Sequence, residues 1–165
     1  MNLSFTQNYI TYVRPLLEYN TVIWSPYKTG DISNIEKVQW GFTKRLPGLK
    51  NLTYKERLAA TNLDTLELRR LRTDLIVCYK IVFGLIKVEF NNFFSFAPAN
   101  NTRSHGYKLF VEQSTPNIRY HSFCRRVVIP WNNLPHNTFE FSSLSKFKHC
   151  LIRADLSKYL LYCID

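Results

Sequence analysis

The chain is short of acid and of glycine, and its four cysteines form no close pair. Twelve Asp and Glu stand against 22 Lys and Arg in 165 residues, a formal net charge of +10. Such an excess repels basic partners and draws phosphate, in nucleic acid or on an anionic membrane surface. Five glycines disfavour a loop-rich barrel and a Gly-rich phosphate loop. Cys78, Cys124, Cys150 and Cys163 contain no CxxC. The opening MNLSFTQNYITYVRP lacks a basic n-region and a continuous apolar stretch. The expectation is therefore reduced, mostly packed thiols in an intracellular protein, cytoplasmic or nuclear, without a signal peptide. No run of about 18 apolar residues occurs, so no membrane span is expected.

The signatures of catalysis are missing as well. Two-metal phosphoryl transfer needs clustered carboxylates, but Asp31, Asp64, Asp74, Asp155 and Asp165 stand far apart with no DD pair. There is no GxSxG, HExxH, GxxxxGK[ST] or GxGxxG. His121 with Cys124, and His149 with Cys150, bring zinc-ligand types close in sequence, without the spacing of a recognised zinc class. No catalytic residue, no metal and no cofactor is expected.

What is present is enough for a core: 45% hydrophobic and 15% aromatic residues, in a chain long enough to bury them. Apolar residues at Tyr9, Val13, Leu16, Leu17 and Tyr19 predict a helix over 5–24 with one buried face. Pro15 should kink or start it, and Ser25-Pro26 should end it. Thr29-Gly30-Asp31 predicts the cap of a helix over 32–45 that buries Ile35, Val38 and Phe42, with Leu46-Pro47-Gly48 as its stop. Thr53 and Glu56 form a capping box, and Asp64 with Glu67 repeats that signature. Leu68, Leu71, Leu75, Tyr79, Val82 and Ile86 recur at helical intervals and predict the most regular helix, ending near 84–87.

From Phe90 the helical period is lost, and NNFFSFAPANNTRSHG reads as a loop. YKLFV, 107–111, predicts a short strand pairing with 118–121 across EQSTPN. Helices over 122–128 and 143–162 flank the WNNLP turn, with Phe147, Leu151, Ala154 and Leu161 inward on the last. The expected fold is mainly α. A helical region, 1–88, is followed by a linker, 89–106, and an α+β region, 107–165, with one short β-hairpin.

The cations raise a separate question. Arg69, Arg70 and Arg72 lie early on the regular helix, as a solvated face or as a face that tracks phosphates. Arg125 and Arg126 precede VVIPWNNLP. Arg126 either contacts phosphate or braces its own turn through backbone carbonyls, with Trp131 and Leu134 as packing.

Ordered segments of the chain resemble one family. YVRPLLEYNTVIWSP (12–26), IEKVQWGFTKRLPGL (35–49) and YKERLAATNLDTLELRRLRTDLIVCYKIVFGL (54–85) resemble the region behind the catalytic palm in non-LTR (LINE/jockey-like) retrotransposon reverse transcriptases. Leu66, Leu68, Arg69 and Arg70, then Asp74, Leu75 and Tyr79, meet its helix pattern. TRSHGYKLF (102–110) is similar to the family's Thr-Arg-x-His segment. Arg119, Phe123, Arg126, Trp131, Asn132, Leu134 and Pro135 meet its Arg-x-x-Phe-x-x-Arg and Trp-Asn-x-Leu-Pro anchors, and SLSKFKHCL (143–151) its closing helix. The aromatic-x-Asp-Asp motif of that family's polymerase is absent.

The resemblance implies a thumb-like region and a C-terminal extension of an RNA-directed DNA polymerase, inactive alone, holding RNA or an RNA–DNA primer-template through phosphates. Arg69, Arg70, Arg72, Arg103, Arg119, Arg125 and Arg126 are the expected contacts, because the guanidinium fork suits phosphate. Tyr107, Tyr120 and His121 are available to stack on an unpaired base. Charge reversal of Arg125 and Arg126 is expected to weaken binding. The alternative is a structural remnant whose apolar faces, marked by Trp24, Trp40 and Phe93, once packed on missing upstream polymerase domains. A surface role for the basic 143–162 helix on anionic lipid is the weakest option, because its polar face is mixed.

Overall fold

Helices carry most of the structure, a computed structural model described over residues 3–98, 106–112, 121–134 and 141–161. The described residues contain no strand, only one isolated antiparallel bridge between Phe96 and Leu109. The mainly α class holds, and the expected hairpin is not seen among the described residues. The chain divides into two compact units, Met1–Arg70 with Leu160–Asp165, and Leu71–Tyr159. No helix among the described residues is long and apolar enough to cross a membrane.

In the first unit, α1 (Leu3–Asn8) runs through a π turn (Tyr9–Val13) into α2 (Arg14–Glu18). The π turn ends two residues before Pro15, whose ring and missing N–H forbid the regular ladder, so the expected kink takes this form. Asn20, with φ of 52°, breaks the path before α3 (Thr21–Trp24). The expected buried face fails here. Tyr9 is buried, but Leu16 is 77% and Tyr19 73% exposed, and Val13 is exposed too.

Helix α4 (Thr29–Lys44) has no side-chain cap bond from its N-cap, Lys28. It turns Ile32, Glu36, Gln39 and Thr43 inward. Val38 is exposed, contrary to the expected inner face of Ile35, Val38 and Phe42. The rotation follows from polar pairing. Gln39 donates to the Tyr54 hydroxyl at 3.1 Å and to the Asp64 carbonyl at 2.9 Å, and accepts from the Tyr9 hydroxyl at 3.2 Å. The Glu36 carboxylate accepts from the Tyr54 hydroxyl at 2.5 Å and from the Leu66 amide at 3.0 Å. A buried amide and carboxylate with every strong partner in reach can replace apolar packing.

Helix α5 (Tyr54–Thr61) begins on the expected Thr53–Glu56 capping box and ends on Asn62, with φ of 52°. Helix α6 (Leu66–Val82) starts differently from expectation. Thr65, not Asp64, caps it, accepting from the Leu68 amide at 3.1 Å, and the Glu36 carboxylate takes another orphan donor of that first turn. Gly84, with φ of 64°, stops the chain beyond α6, a conformation that a side chain would strain.

The second unit holds the rest of α6, a 3₁₀ turn (Phe90–Asn92), α7 (Phe123–Arg126), α8 (Val128–Asn132), α9 (Leu144–Arg153) and a last 3₁₀ turn (Ser157–Tyr159). Helix α9 ends well short of the expected residue 162, and Leu161 is exposed. Aromatic rings fill the centre. Tyr79 lies 4.4 Å from Phe83 and 4.5 Å from Phe147, and Trp131 meets Phe141 edge-on at 5.5 Å. These are favourable ring geometries.

Part of the backbone expected to pair in the hairpin is engaged elsewhere. Ala97 N–H donates to the Lys108 carbonyl, and Phe110 N–H to the Ser95 carbonyl. The Asn132 side chain takes both groups of Leu109, accepting from its N–H at 2.9 Å and donating to its carbonyl at 2.8 Å. Residues 118–120 of the expected partner strand lie outside the described residues.

Candidate nucleic-acid interface

The arginines expected to hold phosphate are mostly engaged within the chain. Arg69 forks onto Glu18, with Nη2 3.0 Å from Oε2 and Nε bonded to Oε1. That hydrogen bond, ahead of the opposing cost of burial, raises the Arg69 pKa. Arg70 is 2% exposed and lies close enough to Glu36 to oppose the rise of its pKa. Arg72 is half-buried.

Arg126 grips Asp74 through Nε at 2.8 Å and Nη2 at 3.1 Å, and its Nη1 donates to the His121 carbonyl at 3.1 Å. The turn is therefore braced through a backbone carbonyl, and a nearly buried carboxylate is held besides. Arg125 bonds the side chain and carbonyl of Glu112.

Of the stacking candidates, Tyr107 packs edge-on to Phe83 at 4.8 Å, and its carbonyl accepts from the Trp131 indole N–H at 2.8 Å. His121 is half-buried. Trp131 is fully buried and Leu134 nearly so, and Asn132 between them bonds the Leu109 backbone, so residues 131–134 act as packing. Arg103, Arg119 and Tyr120 lie outside the described residues.

A different set of cations faces solvent. Between Lys37 and Lys55 the chain carries Lys37, Lys44, Arg45, Lys50 and Lys55 and no acidic residue. All five are exposed, and none forms an ion pair with a described residue. At 3.6 residues per turn, Lys37, Gly41, Lys44 and Arg45 fall on the side of α4 opposite Ile32, Glu36, Gln39 and Thr43.

Trp40, 37% exposed, lies against one of these cations. The Lys44 ammonium lies 4.5 Å from its ring centroid and the Arg57 guanidinium 4.9 Å, with Arg57 itself buried and 5.6 Å from the Tyr54 ring. Cation–π contact on this scale fixes the indole while leaving part of it open. Sequence reading overlooked this surface because conspicuous Arg pairs drew attention from scattered lysines. The signal was the absence of any acid from 37 to 55.

The described residues hold no group of three or more His, Cys, Asp and Glu placed to bind a metal ion. Cys78 and Cys150 are buried and in no disulfide among the described residues, and burial pushes the Cys78 thiol well above its ordinary pKa. No family model, curated protein or solved structure matches this chain.

Proposed function

We propose that the chain is a non-catalytic C-terminal, thumb and post-thumb fragment of a non-LTR retrotransposon RNA-directed DNA polymerase that binds RNA or an RNA–DNA duplex through phosphates. The ordered motif set supports the lineage. The observation that carries binding is a set of five exposed cations, Lys37, Lys44, Arg45, Lys50 and Lys55, in a stretch of chain without an acid, with Lys44 against the partly exposed Trp40. Among the described residues these cations have no carboxylate to leave, whereas Arg69 and Arg126 would have to surrender theirs. Arg125 is a secondary contact, because its partner Glu112 has a side chain 66% exposed and the pair is a surface one.

Equilibrium binding of the full chain to RNA across a salt series tests this. Five phosphate contacts on a single strand give a slope of log K against log salt of about −3 to −4. The triple reversal K44E/R45E/K55E should weaken binding at least tenfold and flatten that slope. A salt-independent affinity, or a triple variant that binds like the parent, would sink the reading.

The second reading, a structural remnant that packed on upstream polymerase domains, is favoured by one observation. Leu16 on α2, Tyr19 just after it and Ile23 on α3 are each more than 70% exposed. On that reading the chain alone binds apolar dye strongly and RNA weakly.

A further inference from the structure

Beside the basic face lies a cleft of about 360 Å³, lined by Tyr9, Val13, Lys37, Val38, Gly41, Phe42 and Arg45. Its volume falls within the range of small-ligand sites. The lining is divided by chemistry. Val13 and Val38 are exposed apolar side chains, and Phe42 is half-buried, stacked on Tyr9 at 4.4 Å and 13°. The Tyr9 hydroxyl points away to Gln39.

Lys37 and Arg45 stand two helical turns apart on either side of Gly41, about 12 Å along the axis. Lys37 donates to Asn34 Oδ1 at 3.0 Å, which leaves other ammonium hydrogens for an anion. Arg45 has no ion-pair partner among the described residues. A Cβ at Gly41 would meet nothing within 4 Å, so the glycine is required neither by packing nor by a positive φ. Its effect is to leave the lining open between the two cations.

We infer that this cleft receives one unpaired base of a single-stranded nucleic acid, with Lys37 and Arg45 holding the phosphates on either side. This deepens the proposed function and rests on it. A flat ring with an anion on each side matches a nucleotide within a strand. A fatty acid carries only one anion, and a base inside a duplex is not available to enter. The interface therefore prefers single strands over duplex, through base burial rather than through sequence readout.

The test uses the full chain and three RNA probes of equal length: an oligouridylate, the same backbone with abasic sites, and a blunt duplex. The parent should bind the oligouridylate about tenfold more tightly than the abasic strand. Gly41→Leu fills the cleft with a residue of good helix propensity. It should bring the oligouridylate down to the abasic affinity and leave duplex affinity and the salt slope unchanged.

Equal binding of base-containing and abasic strands by the parent overturns the cleft while leaving phosphate binding intact. So does a folded Gly41→Leu that still discriminates between them. Absence of binding to all three probes overturns both this inference and the function on which it rests. The parent's comparison of strands needs no variant, so a failure of Gly41→Leu to fold does not spare the proposal.

Discussion

The two units are organised around different centres. In the first, Glu36 and Gln39 of α4 tie together the Tyr9 and Tyr54 hydroxyls, the Asp64 carbonyl and the start of α6, beside a small cluster of Tyr9, Tyr54, Leu58 and Leu63. In the second, Tyr79, Trp131, Phe141 and Phe147 pack ring against ring. A polar centre depends on every partner being present and on the charge state of one carboxylate. An aromatic centre depends on buried area and fit. The first is sensitive to pH and directional, and the second loses most from truncation.

The comparison is sharpened most by Trp131→Ala. Removing a fully buried indole, together with its bond to the Tyr107 carbonyl, should cost about 3–5 kcal/mol in urea unfolding. A cost under 1 kcal/mol would show that the ring cluster is not the centre of the second unit.

Arg126→Leu comes next. It removes both guanidinium hydrogen bonds to Asp74, whose side chain is 4% exposed, while Arg126 itself is 20% exposed. The expected cost is about 3 kcal/mol, toward the low end for a buried pair because water reaches the guanidinium. The double variant Arg126→Leu/Asp74→Leu should recover part of that loss, and a double-mutant cycle measures how much.

Asn132→Ala removes two bonds to the Leu109 backbone and should cost about 2 kcal/mol. Hydrogen exchange of the Leu109 amide should speed up in that variant, whereas exchange of the Leu66 amide in the first unit should not.

The smallest effect at neutral pH is expected from Glu36→Gln, and its diagnostic is the pH profile. Burial raises the Glu36 carboxyl above its ordinary 4.5, outweighing the hydrogen bonds from Tyr54 and Leu66 that pull it down. The folded chain then keeps a proton that the unfolded chain releases. Stability from this group is fully present below pH 4.5 and is lost as pH rises through the higher folded value. Gln is neutral throughout, so the stability difference between the two chains should change with pH only across that window. A difference that is flat with pH would remove Glu36 from the account. No variant of the aromatic centre should introduce such a window.

Part of the local chemistry was legible, although the caps expected at Thr29–Asp31 and at Asp64 are not the ones that form. The Thr53–Glu56 box caps α5, Leu46-Pro47-Gly48 stops the chain after α4, and the repeat of Leu75 and Tyr79 marks α6. Each depends on contacts one turn apart, which the order of residues specifies.

What sequence alone could not decide was which face turns inward and which cation is engaged. The residues of α4 offered an apolar stripe through Val38, yet Glu36 and Gln39 went inward because Tyr54, Asp64 and Leu66 met them there. Arg69 and Arg126 looked like phosphate ligands until Glu18 and Asp74, 51 and 52 residues away, took their forks. The net charge of +10 was fixed by composition. Where that charge remains available to an anion was decided only by tertiary pairing, because a carboxylate distant in sequence neutralises an arginine as well as a near one once the fold brings them within hydrogen-bond reach.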